Sequence, residues 1–268
     1  MNKDLQKRVV FGALALVIFI PLLVMGGVPF QLLIGLLAMI GTAELLKMNR
    51  LSPSSIEGVL AMLAALVLTL PLENYLSFLP TDGNYTAYAI VVLLLLSSVV
   101  FQIGQYSYSD AVYPIASSFY VGFGFHQLVS ARMDGINTVL FALFIVWATD
   151  IGAYMIGRQI GRRKLMPRVS PNKTLEGSLG GILSAVVVAA IFLLFDKQLA
   201  GQYSFLEMMG LVALFSIFAQ FGDLVESAIK RHFGVKDSGK LIPGHGGILD
   251  RFDSLIFVFP LMHFFGLF

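Results

Sequence analysis

Apolar stretches long enough to cross a lipid bilayer recur along the whole chain. A hydrocarbon core about 30 Å thick is crossed by about 20 helical residues. We predict nine such spans, at Val9–Met25, Phe30–Leu46, Ile56–Leu79, Tyr85–Ile103, Ala111–Ser130, Thr138–Ile156, Leu179–Phe195, Phe205–Leu224 and Phe252–Phe268. Hydrophobic residues make up 57% of the chain and charged residues 13%, whereas soluble domains have about 45–50% and about 25%. The sequence therefore predicts an all-α, polytopic bundle of transmembrane helices.

The distribution of basic residues predicts the orientation of these spans. Lys and Arg are retained on the cytoplasmic side of membrane proteins. With the N-terminus in the cytosol, only Arg132 and Lys197 of the 18 basic residues fall on the opposite side. The basic N-terminal segment and the apolar run behind it resemble a signal peptide, but the run is longer than a signal core and lacks a small-x-small cleavage pattern. We interpret it as an uncleaved first span.

Two long cytosolic loops, 157–178 and 225–251, interrupt the regular alternation of spans and short connections. We predict that residues 1–110 form a structural, lipid-facing or dimer-forming part, and that residues 111–268 form the catalytic part. The net charge of +2 is too small to indicate nucleic-acid binding. The absence of cysteine excludes disulfides and thiolate metal sites.

Ionisable residues within or at the edge of an apolar span are costly and mark candidate functional sites. Asp150 lies in the sixth span, and Asp223 closes the eighth. Helical spacing would place Asp223, Glu226, Ser227 and Lys230 on one face. These carboxylates are the first candidates for a site at the cytosolic ends of the helices.

The second long loop ends in the sequence PGHGGILDRFD at 243–253. Glycines such as Gly246 and Gly247 let backbone N–H groups approach phosphates closely. Asp250 and Asp253 are three residues apart at the start of a helix, where both could hold a hard cation such as Mg²⁺. The two aspartates are also compatible with a simple helix cap. His245 could bind a phosphate or could be merely a polar residue of the loop.

Glycines, basic residues and convergent carboxylates together are typical of sites that position a polyphosphate for phosphoryl or nucleotidyl transfer. No Walker A or GxGxxG pattern is present, so a P-loop or Rossmann site is not supported.

The segments SAIKR at 227–231, KDSG at 236–239 and IPGHGGILDRFD at 242–253 resemble the signature of the phosphatidate cytidylyltransferase (CDP-diacylglycerol synthase) family. Residues 147–158 and SPNKTLEG at 170–177 are also similar to that family. The resemblance extends over about 147–260, whereas the first five spans match only in hydropathy.

This resemblance implies Mg²⁺-dependent transfer of CMP from CTP to phosphatidic acid, with release of pyrophosphate. We predict that one or two cations are held by the acidic residues Asp223, Asp250, Asp253 and Asp150. The groups expected to bind CTP are Lys230, Arg231, Lys236, His245, Gly246, Gly247 and Arg251. Arg158 and Lys173 are expected to hold the lipid phosphate, and Asp223, Lys230, Asp250 and Asp253 to form the catalytic set.

Two other functions remain compatible with parts of the sequence. A CTP-using polyprenol kinase needs the same nucleotide and cation, and a cation- or proton-coupled transporter could use Asp150 and Asp223 as an intramembrane relay. The signature disfavours the kinase, and the absence of an inverted repeat disfavours the transporter. We expect a multi-pass protein of a bacterial inner membrane with its site at the cytosolic face, and a homodimer as the assembly that the resemblance suggests.

Overall fold

The computed structural model describes residues 3–81, 83–101, 106–239 and 246–268. Within these ranges, nine α-helices and one two-stranded sheet form. The helices are α1 (Lys3–Met25), α2 (Gly27–Met48), α3 (Ile56–Thr69), α4 (Gly83–Phe101), α5 (Tyr108–Asp134), α6 (Ile136–Ile160), α7 (Leu175–Phe195), α8 (Phe205–His232) and α9 (Leu249–Phe264). The strands are β1 (Lys164–Met166) and β2 (Ser170–Thr174), and short 3₁₀ helices lie at Leu72–Asn74 and Lys197–Ala200.

Five of the helices are long and apolar enough to cross a membrane: α2, α4, α6, α7 and α8. The apolar helices Phe11–Met25 and Ile56–Thr69 are shorter. The prediction of an all-helical membrane protein is thus confirmed in its coarse form. The count of nine spans and the cytosolic N-terminus stay predictions.

The chain divides into two compact units. The first contains residues 1–129 and 235–251, and the second contains residues 130–234 and 252–268. In the first unit, α3 packs against both α2 and α4. The functional division predicted at residue 110 concerns activity, and it stays a prediction.

In the second unit, α6 and α7 form the most extensive helix pair. One face of α7 carries small buried residues at four-residue spacing, namely Gly177, Gly181, Ala185 and Ala189. A Cβ atom added at Gly181 would lie 2.7 Å from the backbone oxygen of Thr149 on α6, so the two backbones are in near contact. Small residues allow this close approach in membrane helices.

The opposite face of α7 is apolar and exposed, with Leu179, Leu183, Val187 and Ile191 again at four-residue spacing. Exposed leucine, valine and isoleucine on a long helix suit contact with lipid chains rather than water. The helix therefore has one face for protein packing and one for the bilayer.

A hairpin occupies the first of the two predicted loops. β1 and β2 pair antiparallel between the end of α6 and the start of α7. The side-chain hydroxyl of Thr174 accepts a hydrogen bond from the Gly177 backbone N–H at 3.1 Å, which caps α7 directly after the second strand. The cap fixes where the hairpin ends and the helix begins.

Candidate active site

A cavity of about 490 Å³ lies in the second unit, at the C-terminal half of α6 and the start of α7. Four of its lining residues carry charge: Asp150, Arg158, Lys173 and Asp223. The sequence had singled out all four. The other lining residues are Ala153, Tyr154, Gly157, Leu165, Asn172, Thr174, Gly177, Ser178 and Gln220.

Asp223 is held from two directions. Its carboxylate forms a salt bridge with Lys173 of β2, and its Oδ1 accepts a hydrogen bond from the Ser227 hydroxyl at 3.2 Å. Both side chains of the salt bridge are about one-third exposed, at 28% for Lys173 and 32% for Asp223. A partly exposed pair stabilises the fold only modestly. Because both side chains are partly exposed, they are accessible to a ligand in the cavity.

Two further carboxylates lie near Asp223. Asp150 of α6 interacts electrostatically with Asp223 and Lys173. Asp253 of α9 interacts with Asp223, Asp150 and Lys230. Three acidic residues from three helices therefore share one region of the second unit with two lysines.

Helix α8 continues well beyond the point where the sequence placed the end of the eighth span. Because it extends to His232, Glu226, Ser227 and Lys230 are helical, as their spacing with Asp223 required. Lys230 forms a salt bridge with Glu226, whose side chain is 1% exposed. The predicted helical face exists, and Lys230 is anchored on it by a buried carboxylate.

The positions of α6, α7 and α8 around the cavity are fixed by polar contacts as well as packing. The hydroxyls of Thr149 and Ser216 lie 2.8 Å apart and join α6 to α8. The side-chain amide of Gln220 donates to the Ser178 carbonyl at 3.3 Å, joining α8 to α7. These contacts hold the helices that carry Asp150 and Asp223 in a defined register.

The hairpin is also tied to its surroundings. The Glu176 carboxylate accepts hydrogen bonds from the backbone N–H groups of Arg162 and Arg163. Arg231 Nε donates to the Val169 carbonyl at 3.3 Å. Arg231, predicted to bind CTP, thus contacts the hairpin turn in this structure.

The remaining predicted residues belong to the first unit. The Asp250 Oδ2 atom accepts hydrogen bonds from the Ser238 N–H at 2.9 Å, the Ser238 hydroxyl at 2.8 Å and the Gly247 N–H at 2.7 Å. Gly246 has φ of +84°, a conformation that glycine adopts readily. Lys236 and Arg251 are exposed, and His245 lies outside the described residues.

The donor chemistry of the second unit fits a hard cation. Carboxylate oxygens are the ligands that Mg²⁺ prefers, and Asp150, Asp223 and Asp253 supply such oxygens. Within the described ranges, no three His, Cys, Asp or Glu side chains come together as a ready-made metal cluster. The acidic residues are neighbours here, with Lys173 paired to one of them.

Sequence reasoning missed Glu44 of α2, which is 5% exposed. Its carboxylate accepts hydrogen bonds from the backbone N–H groups of Ile248 and Leu249 at 2.9 and 3.0 Å. The signal was available, because Glu44 is an ionisable residue inside an apolar span, the criterion that had identified Asp150. Asn172, Tyr154 and Gln220 were also given no role, although they line the cavity.

The apolar helices and the charged cavity define the class of protein: a helical membrane protein with a polar, anion-compatible site near helix ends. Residues 6–268 match the model of the cytidylyltransferase family. The chain belongs to that family.

Similar proteins extend over the same length. The chain is 41% identical to a phosphatidate cytidylyltransferase of Staphylococcus haemolyticus over 264 residues, covering 97% of this chain and 98% of the relative. It is 40% identical to a phosphatidate cytidylyltransferase of Bacillus subtilis over 266 residues, covering 97% of each. The resemblance inferred from residues 147–260 is confirmed, and it includes the first five spans as well.

Proposed function

We propose that this chain transfers CMP from CTP to phosphatidic acid, giving CDP-diacylglycerol and pyrophosphate for phospholipid biosynthesis. The observation that carries the proposal is the match, at about 40% identity over 97% of the chain, to relatives named phosphatidate cytidylyltransferase. The enzyme is therefore a nucleotidyltransferase. Its cavity supports this activity, because it combines cationic and carboxylate groups beside apolar helices.

The lipid substrate is expected to place its phosphate in the cavity. Arg158 and Lys173 are the cationic residues that line it, and both can donate hydrogen bonds to a phosphate. Tyr154 lines the same cavity and is 66% exposed. An amphipathic ring of this kind suits the headgroup region of a bilayer, where the phosphate of phosphatidic acid lies.

The reaction joins the phosphatidate phosphate to the α-phosphorus of CTP. A phosphate oxygen attacks that phosphorus, the bond to the bridging oxygen of the β-phosphate breaks, and pyrophosphate leaves. A phosphomonoester has a second pKa of about 6, so the attacking group is largely dianionic near neutrality. The protein then needs no strong general base, and its main tasks are to orient both phosphates and to balance their charge.

The signature residues are proposed to bind CTP. Lys230, Arg231, Lys236 and Arg251 would neutralise its phosphates, and Gly246 would offer a backbone N–H. The Gly247 N–H, which donates to Asp250 in this structure, would have to exchange that partner for a phosphate oxygen. His245 belongs to the same proposed site as a hydrogen-bonding residue.

Mg²⁺ is the proposed cofactor, with a second cation as an extension of the same site. Asp223, Asp253 and Asp150 would hold it, and Asp250 would contribute from the signature loop, which we define as residues 236–253. When bound, the cation would neutralise phosphate charge and stabilise the leaving pyrophosphate. The electrostatic interaction of Asp223 with both Asp150 and Asp253 supports this assignment.

The protein is proposed to lie in a bacterial cell membrane as a multi-pass protein, since its relatives come from bacteria and five helices suit a bilayer. We propose nine spans with the N-terminus and the active site on the cytosolic side. The basic residues support this orientation. A homodimer stays a prediction.

The test is label transfer by the purified protein in mixed micelles with phosphatidic acid, Mg²⁺ and CTP labelled at either the α- or the γ-phosphate. We expect α-label in the lipid product and γ-label in pyrophosphate. Transfer of the γ-label to a lipid acceptor would instead indicate a kinase. Absence of transfer with several phosphatidic acids and cations would contradict the proposed function and revive the transporter.

A further inference from the structure

Glu44 is a buried carboxylate at the centre of a hydrogen-bond network in the first unit. Its Oε1 accepts from the Ile248 N–H at 2.9 Å, and its Oε2 accepts from the Leu249 N–H at 3.0 Å. The Ser238 hydroxyl also lies 3.2 Å from Oε2. A buried carboxylate is costly unless such donors surround it, and here the donors come from the segment that carries the signature.

Ser238 connects this carboxylate to Asp250. Its hydroxyl lies within hydrogen-bond distance of Glu44 Oε2 and of Asp250 Oδ2, and its backbone N–H donates to Asp250. One hydroxyl hydrogen serves only one of the two acceptors well at a time. Hydrogen bonds to Glu44 and Asp250 therefore connect Ser238, which precedes the segment 240–245, with residues 247–249, which follow it.

Two glycines of the signature make room for Glu44. A Cβ atom at Gly239 would fall on the Glu44 carboxylate, and one at Gly247 would lie 2.5 Å from both carboxylate oxygens. Any side chain at either position would displace the carboxylate or the loop. These glycines are thus explained by close approach to Glu44, independently of any contact with phosphate.

We propose that Glu44 is a positioning residue that holds residues 238–239 and 247–249 of the signature in the arrangement required for CTP. The proposal rests on the assignment of this loop to CTP in the proposed function. The carboxylate acts through the backbone of residues 247–249 and through Ser238, with no contact to substrate. Its loss would loosen the loop before any nucleotide binds, and the main kinetic consequence would be weaker use of CTP.

The test compares Glu44→Gln with Glu57→Gln. Glutamine keeps the size of glutamate, but its NH₂ group cannot accept a hydrogen bond from a backbone N–H. Glu57 of α3 is a matched control, since it is also 5% exposed and lies in the same unit. The measurements are amide hydrogen exchange without substrate, thermal stability, and KM for each substrate.

For Glu44→Gln we expect exchange to accelerate about 10-fold or more at whichever of Ile248 and Leu249 faces the NH₂ group, the size expected for losing a hydrogen bond to a charged group. KM for CTP should rise about 10-fold, and KM for phosphatidic acid should stay within about 2-fold of wild type. Glu57→Gln should leave exchange at these amides and both KM values unchanged. A folded Glu44→Gln protein with normal loop exchange and normal KM for CTP would overturn the proposal, as would an equal rise in both KM values.

Gly247→Ala keeps Glu44 but places a methyl group against the Ser238 hydroxyl and the Glu44 carboxylate, the two groups that form the network. It tests the same proposal if Glu44→Gln does not fold, and we expect the same selective rise in KM for CTP. Normal use of CTP by a folded Gly247→Ala protein would contradict the proposal. Failure of the proposed function would show separately, because wild type would then transfer no label while the substrate-free exchange result would still stand.

Discussion

Substituting Gly152 by alanine tests whether the close packing of α6 and α7 sets the geometry of the cavity. A Cβ atom at this position would overlap the Ser184 hydroxyl and lie 2.6 Å from Ser184 Cβ and 2.9 Å from the Gly180 backbone oxygen. Restoring ordinary contacts of 3.4 Å requires the helices to separate by about 0.5 to 0.8 Å. Overpacking of this kind costs about 1–3 kcal/mol, which should lower the thermal midpoint in detergent by several degrees.

The same shift should impair catalysis, because α6 carries Asp150 and α7 follows directly from Lys173. A displacement approaching 1 Å can reduce turnover about 100-fold, and we expect a loss of about 10- to 100-fold in label transfer. Adding Ser184→Gly removes the clashing side chain and should recover part of both losses. Gly210→Ala is the control, since nothing lies within 4 Å of its added Cβ. Wild-type stability and turnover in Gly152→Ala would show that the close packing of α6 and α7 does not set the geometry of the cavity.

Three further predictions concern the charged groups of the cavity. Asp223→Asn should reduce turnover about 100-fold or more with the protein still folded. The control Asp134→Asn changes an exposed aspartate and should retain wild-type turnover. Near-normal activity of Asp223→Asn would remove this residue from the catalytic set. Arg158→Gln should raise KM for phosphatidic acid about 10-fold. Arg162 lies outside the cavity lining, so Arg162→Gln should change this KM less than about 2-fold. Equal effects of the two substitutions would indicate nonspecific attraction of anionic lipid. Lys173→Met should destabilise the protein by about 1 kcal/mol, the upper range for a partly exposed pair. Adding Asp223→Asn should lower the thermal midpoint little further, because the pair is already lost; an additive loss of stability would contradict the ion pair.

The helices could largely be predicted from the sequence, because hydropathy and length identify an apolar helix without knowledge of its neighbours. The hairpin could not. Its strands have only three and five residues, and the second is polar and contains Pro171. No alternating apolar pattern of strand length is therefore present in the sequence. Helix α8 extends beyond the predicted end of the eighth span, because its last turns are polar and hydropathy marks only the apolar part of a helix. The helical spacing of Asp223, Glu226, Ser227 and Lys230 did indicate this extension.

Residue types in the site were easier to predict than their partners. Asp150, Asp223, Arg158 and Lys173 could be selected because charge near an apolar span is costly. The salt bridge between Lys173 and Asp223 joins residues 50 positions apart in the sequence, and one sequence carries no signal for such a pair. Glu44 and the signature loop are still farther apart, so the reason for glycine at position 247 required the fold.

We propose that Asp150, Asp223 and Asp253 act together in one cation site for nucleotidyl transfer. Mn²⁺ titration followed by electron paramagnetic resonance tests it without turnover, using wild-type protein and Asp223→Asn, each with a nonhydrolysable CTP analogue. We expect protein-bound Mn²⁺ in wild type and an affinity for Mn²⁺ that is weakened about 10-fold or more in Asp223→Asn. Equal Mn²⁺ affinity in the two proteins would contradict it.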